Sequence, residues 1–263
     1  MLLVADIGNT NINLGVYDND ELTCTFNIKS IINRSSDEYG IILVSLLNNF
    51  NINKSDIDGV IIASVVPEVM HSFVSCIIKY FNIEPLIIGP GIKSGVSIHY
   101  DNPKEIGADR IATVAGAIND YGNNLLVVDF STAITFEYID FKSNYVGGVI
   151  IPGIEISINA LSNSASMLPD IEIKKCDSVL ANNTVSAMQS GLYFGYLGLV
   201  ESLINRFKKE TNVDLKVIAT GGFGKTFFEN SNEIDIYDAN LAFKGLKNIY
   251  YKNRKKLWKI LKI

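Results

Sequence analysis

Three acidic residues stand where work on a phosphate group is feasible. Asp6 ends the apolar run Leu2 to Ile7 and is followed by Gly8-Asn9-Thr10. A glycine at that point can take φ > 0 and aim successive N–H groups at one place, while Asn9 and Thr10 add side-chain donors. Such a turn suits phosphate oxygens, and Asp6 beside it would hold Mg2+ directly or through water. A plain hairpin turn also favours Asn and Gly, so the motif alone does not decide. A second copy weighs against the plain turn: Val4 to Thr10 lines up with Val127 to Ala133, 123 residues later, and places Asp129 and Thr132 like Asp6 and Asn9. Two matching acidic turns facing one ligand form an arrangement found in phosphotransferases. The third acid, Asp109, lies in Gly107-Ala108-Asp109-Arg110, within a helix expected from Pro103 to Tyr121. Adjacent helical residues point ~100° apart. One can therefore take a proton while Arg110 grips a carboxylate in two-pronged fashion; a solvated helix face is the other reading.

Other motifs are weaker. Thr220-Gly221-Gly222 ends a buried-type strand, where paired glycines let a flat adenine or ribose approach the backbone. Gly224-Lys225-Thr226 looks like the tail of a P-loop, but the required first glycine is Ala219. No G-x-G-x-x-G follows a strand. Tyr100 leads irregularly into the Pro103 helix and reads as a pocket wall or a core tyrosine.

The elements that must position these residues follow from periodicity. Leu2–Ile7, Asn11–Tyr17 and Glu21–Ile28 read as a three-strand antiparallel meander. A helix capped by Ser35 or Ser36 follows, then a strand from Gly59 to Val66, a helix from Pro67 to about Phe81 and a strand from Glu84 to Ile88. After Gly122 the pattern restarts with strands at 125–128, 133–139 and 145–151, helices at 154–161 and 185–209, strands at 215–219 and 234–237, and a last helix from Ala239 to Tyr250. The restart is an internal repeat. It predicts two α/β domains, 1–118 and 119–263, each a mixed β-sheet opening with the meander and flanked by helices, packed around a cleft.

Composition narrows the function classes. The 263 residues, 48% of them hydrophobic, suffice for two modest cores, and a net charge of −5 disfavours a general nucleic-acid binder. Cys24, Cys76 and Cys176 are far apart and odd in number, as expected of reduced thiols in a cytoplasmic protein. With only His71 and His99, a histidine-rich metal centre is not expected. No apolar run approaches ~18 residues, so no membrane span is expected. The tail Lys252 to Lys262 carries six cations and reads as a solvated helix end with favourable dipole placement.

The ordered set of motifs resembles type III pantothenate kinases, within the superfamily of acetate and sugar kinases, heat-shock cognates and actin. The resemblance runs through Asp6-Ile7-Gly8-Asn9-Thr10, Tyr100-Asp101-Asn102-Pro103, Gly107 to Arg110, Asp129 to Thr135, Gly147-Gly148, Pro152-Gly153, Leu168-Pro169, Asn183-Thr184 and Thr220-Gly221-Gly222. It implies two duplicated RNase H-like (actin-like) domains and ATP-dependent phosphorylation of pantothenate, the first step of coenzyme A biosynthesis. Asp6, Ile7, Gly8, Asn9, Thr10, Asn11, Ile12 and Asn13 would cradle the ATP phosphates with Mg2+, and Thr132 would contact ATP. Asp109 would be the catalytic base. Tyr100, Gly107, Ala108, Asp109 and Arg110 would hold pantothenate, with Thr184 supplied by the partner of a homodimer. Asp129 would bind K+ or NH4+. The family's usual Asp-Phe-Gly-Thr is here Asp129-Phe130-Ser131-Thr132. If that glycine has φ > 0, Ser131 costs roughly 1 kcal/mol of strain. A kinase for another small hydroxy metabolite and a non-catalytic regulatory relative are the rival readings.

Overall fold

The computed structural model describes residues 1–260, with side chains as far as Arg254. The chain forms two units: one joins Met1–Asp120 to the helix that starts at Leu241, and the other is Tyr121–Asn240.

In the first unit the expected meander is present as β1 (Leu2–Ile7), β2 (Asn11–Asp18) and β3 (Glu21–Lys29). With β4 (Gly59–Ser64) and β5 (Leu86–Ile87) it gives a sheet of order β3-β2-β1-β4-β5. β1 runs antiparallel to β2 and parallel to β4. Its near-continuous apolar sequence suits that central place, because a strand covered on both faces needs no polar alternation. Leu3, Ala5 and Ile7 pack under α1 (Ser36–Asn49) and α2 (Pro67–Phe81), against Tyr39, Leu43, Phe73 and Ile77. The Ser35 side chain caps α1, and Glu38 returns the bond to the Ser35 backbone. Pro67 opens α2, where its missing N–H costs nothing.

A short strand β6 (Ser97–Ile98), which periodicity does not signal, follows. The helix expected from Pro103 is broken. Pro103–Glu105 makes a single 3-10 turn, Ile106 is extended, and α3 (Ala108–Tyr121) begins after Gly107. Asp109 and Arg110 therefore sit in the first turn of α3 rather than in its middle.

The second unit repeats the plan. β7 (Leu125–Phe130), β8 (Ala133–Ile139) and β9 (Asn144–Pro152) form the meander, and the unit's strands lie in the order β9-β8-β7-β10-β11, with β10 (Lys216–Gly221) and β11 (Ile236–Tyr237). β7 pairs antiparallel with β8 and parallel with β10, as β1 does with β2 and β4. β1 and β7 also share one burial pattern: four buried residues, a half-buried aspartate, one buried residue. One face of this sheet packs on α4 (Ile154–Ser164), α5 (Thr184–Thr211) and α6 (Gly224–Phe228) through Ile158, Val200, Ile204 and Phe227. The lysine of the rejected P-loop lies in α6, exposed.

The last helix, α7 (Leu241–Ile260), is longer than expected. It does not extend the second half, as the 119–263 boundary would have it. Phe243, Leu246, Ile249 and Tyr250 pack on Leu2, Val4, Ile61 and Ala63, covering the face of the first sheet that α1 and α2 leave open. Of the basic tail Lys252 to Lys262, the side chains beyond Arg254 lie outside the described residues. Leu246, fully buried in this layer, gives a test. Leu246→Ala should cost about 2–5 kcal/mol, and amide exchange should accelerate in β1 and β4 more than in β7 and β10. Equal acceleration in both units would contradict the assignment of α7 to the first.

Candidate active site

The end of β1 presents Asp6. The residue is half-buried, but its Oδ1 is shut off from solvent and has no hydrogen-bond partner among the described residues. Its cross-strand neighbour is Asn13, and the neighbour of Asn13 on β3 is Asn27. Asn27 Nδ2 donates to Asn13 Oδ1 at 2.6 Å, leaving the Asn13 amide to donate to the Asp6 carboxyl. Asn27 is thus a supporting residue that the sequence motif did not reveal. Only the register of β2 on β3 places it.

The turn after Asp6 departs from expectation in one respect. Gly8 is not among the glycines with positive φ, and its N–H donates to the Asn11 carbonyl at 2.9 Å. It closes the turn instead of pointing at a ligand. The side-chain donors of the turn belong to Asn9, which is exposed, and Thr10, which is half-buried. Ile7 and Ile12 are fully buried opposite each other, so of these two only the backbone can contribute.

Asp109 meets Asp6 because α3 starts where it does. Gly107 lies against Val65, just past the C-terminal end of β4, and β4 runs beside β1. From the first turn of α3, where the helix dipole favours a negative charge, Asp109 Oδ1 accepts the Arg110 N–H at 2.7 Å. Burial first, and then the charge of Asp109, push the Asp6 carboxyl from an ordinary 3.8 up to about 7, against the lowering effect of Asn13. Two acids so placed, one of them with an unmet acceptor, fit a divalent cation with phosphate oxygens. Mg2+ takes one or two carboxylates and keeps its remaining positions for water and phosphate. Two residues expected to hold the substrate also come together: the Arg110 guanidinium lies 5.9 Å from the centre of the half-buried Tyr100 ring.

In the second unit Asp129 occupies the position on β7 that Asp6 has on β1, with Thr135 and Thr220 as its cross-strand neighbours. Gly221 has φ 84°, and a Cβ there would come within 2.6 Å of Asp129 Oδ1, so the second acid needs glycine beside it. Ser131 is not in the left-handed region. It is exposed, its Oγ donates to the Ala133 carbonyl at 3.0 Å, and the expected strain does not arise. Thr132 is exposed, and its carbonyl accepts the Gly153 N–H. Thr184 is the exposed first residue of α5, which Asn183 caps by accepting the Ser186 N–H at 2.9 Å. Among the described residues no three His, Cys, Asp or Glu side chains cluster as a metal site, and no helix is long and apolar enough to cross a membrane.

The raised Asp6 pKa has a sign for stability. Between about pH 4 and pH 7 the folded carboxyl keeps a proton that the unfolded one has lost. Stability of the unliganded protein therefore falls as pH rises through that window, by about 4 kcal/mol at most. Asp6→Asn should remove this slope and be the more stable protein at pH 8 in urea titrations. Parallel pH profiles for the two proteins would contradict the burial and repulsion at Asp6.

Comparison with known proteins agrees with this geometry. Residues 2–206 match the family model described as type III pantothenate kinase. The chain is 48% identical over 253 residues to the type III pantothenate kinase of Geobacillus sp. (strain WCH70), covering 96% of this chain and 98% of that protein. It is 48% identical over 256 residues to that of Geobacillus kaustophilus (strain HTA426), covering 97% and 99%. Among solved structures, a conserved putative Baf family transcriptional activator from Campylobacter jejuni aligns with TM-score 0.61 at 22% identity over 96% of this chain and 99% of its own. A putative 2-dehydro-3-deoxygalactonokinase from Sinorhizobium meliloti aligns with TM-score 0.59 at 12% identity over 96% of each chain. These two likenesses concern the fold, the duplicated RNase H-like (actin-like) arrangement. The near full-length identity to the curated relatives goes further: the chain belongs to the type III pantothenate kinase family.

Proposed function

We propose that this chain transfers the γ-phosphate of ATP to the primary hydroxyl of pantothenate, giving 4'-phosphopantothenate, the first step of coenzyme A biosynthesis, in the cytoplasm. The observation that carries the reading is the meeting of Asp6 and Asp109 at the ends of β1 and α3, in a chain of this family. Asp109 accepts the proton of the attacking hydroxyl. Arg110 and Tyr100, with the backbone of Gly107 and Ala108, orient pantothenate, and Arg110 pairs with its carboxylate. The Asn9 and Thr10 donors and the turn backbone through Asn13 hold the phosphates. Asp6 holds Mg2+, whose charge, when bound, neutralises the phosphate oxygens. In a loose transition state such positioning and neutralisation supply most of the rate. On the second unit, Thr132 contacts ATP and Asp129 takes a monovalent cation, K+ or NH4+.

We also propose a homodimer in which Thr184 reaches the pantothenate of the partner. Support comes from the second unit. Met167 and Leu180 are 92% and 88% exposed, and Val179 and Val185 beside Leu180 are exposed too; apolar side chains left bare in one segment suit a contact surface. A groove of about 740 Å3 runs along the start of α5 and includes Thr184.

A carboxylate acting as base is tested without disturbing the nucleotide. Asp109→Asn should lower kcat by about 10^2- to 10^4-fold, while calorimetry shows ATP bound within a few-fold of wild type. Near-normal turnover would show that another group takes the proton.

A further inference from the structure

We propose that α7, a helix beyond the residues matched by the family model, positions the substrate-binding wall, with Asn253 fixing the loop that leads to Tyr100 and Gly245 fixing the helix that carries Asp109 and Arg110. The inference rests on the function proposed above and adds to it residues for which no motif speaks.

Asn253 is 3% exposed, and its side chain acts like a strand partner. Its Oδ1 accepts the Lys93 N–H at 3.2 Å, and its Nδ2 donates to the Lys93 carbonyl at 3.1 Å and to the Ile249 carbonyl at 2.8 Å. Only an amide side chain offers a donor and an acceptor together in this way. The loop it grips has a few bonds of its own, such as Ile92 N–H to the Gly89 carbonyl at 3.2 Å, and Asn253 adds the link to α7. Gly91 and Gly95, with φ of 86° and 78°, bracket Lys93, and glycine there leaves the backbone many alternatives. Val96 and the two residues of β6 separate Gly95 from His99 and Tyr100. The Lys252 side chain of α7 lies over Gly95, whose φ of 78° favours glycine. A fixed Lys93 therefore fixes the start of the path to Tyr100.

The same helix sets α3. A Cβ on Gly245 would overlap the Ala112 carbonyl oxygen, and one on Gly116 would overlap the Leu241 carbonyl oxygen. The two backbones meet there with nothing between them. Lys244 adds an ion pair to Asp120 on α3 at 2.9 Å. Ala112 follows Asp109 by less than one turn, so the α7 backbone is the surface against which the base is placed. Elsewhere on α7 the Tyr251 hydroxyl donates to the Asn19 carbonyl of the β2–β3 turn at 3.4 Å, away from the Lys93 loop.

Steady-state kinetics test the proposal. Asn253→Asp keeps the side-chain size and removes the donor; Asn253→Ser shortens the side chain and leaves one hydroxyl in place of the paired carbonyl and amide. In each, the KM for pantothenate should rise about five- to tenfold, the scale of one lost hydrogen-bond pair. The KM for ATP and kcat should stay within about twofold. Tyr251→Phe, which removes only the bond to Asn19, should leave both KM values unchanged. In the wild-type protein, pantothenate should slow amide exchange at Lys93, and ATP alone should not. Several outcomes would overturn the inference: melting temperature and active fraction falling with KM for pantothenate unchanged, Tyr251→Phe raising that KM equally, or Lys93 exchange indifferent to pantothenate. A wild-type protein that turns over no pantothenate would instead remove the underlying function, and the inference with it.

Discussion

Two carboxyl groups held close together, one with an oxygen that no described residue satisfies, are costly to a folded chain. Asp6 and Asp109 form such a pair. Burial and mutual repulsion raise Asp6 to about 7, and only the Asn13 amide, steadied by Asn27, offsets part of the cost. The strain is set by backbone placement. β1 is covered on both faces and cannot move. α3 is seated against the α7 backbone and begins at Ala108, after the extended Ile106. The protein thus keeps an unmet charge requirement at one point, and a bound cation with phosphate would satisfy it.

The duplicated plan explains why this point lies where it does. In both sheets the first strand is central, ends in a half-buried aspartate, and runs parallel to a later strand on one side and antiparallel to the meander on the other. The two copies have since parted chemically. Asp6 faces asparagines and a second acid, whereas Asp129 lies between threonines and beside Gly221. One acid is suited to a divalent cation and phosphates. The other stands among neutral oxygen donors, a setting compatible with a singly charged ion.

Much of this was legible in the sequence because the signals were local. The apolar run before Asp6, the Ser35 cap with Glu38, Pro67 at a helix start and the restart near Gly122 each appear in the structure close to their expected positions. What the sequence hid depends on distant partners. Nothing near Pro103 shows that the helix breaks before Ala108, yet that break moves Asp109 into the first turn. Gly8 suggested a left-handed turn, but the Asn11 carbonyl claims its N–H. Ser131 looked strained only while a left-handed backbone was assumed. Asn27 and Asn253 carry no motif at all, since their roles arise from strand register and from a helix that returns to the first sheet after 120 intervening residues.

The central claim is the electrostatic coupling of Asp6 to Asp109 in the unliganded protein. Carbon-13 NMR of aspartate-labelled protein, titrated from pH 3 to pH 9, measures it directly. The prediction is one carboxyl titrating near 7, assigned to Asp6 by its absence in Asp6→Asn, whose midpoint moves down in Asp109→Asn. An Asp6 carboxyl that titrates near 4 in both proteins would contradict it.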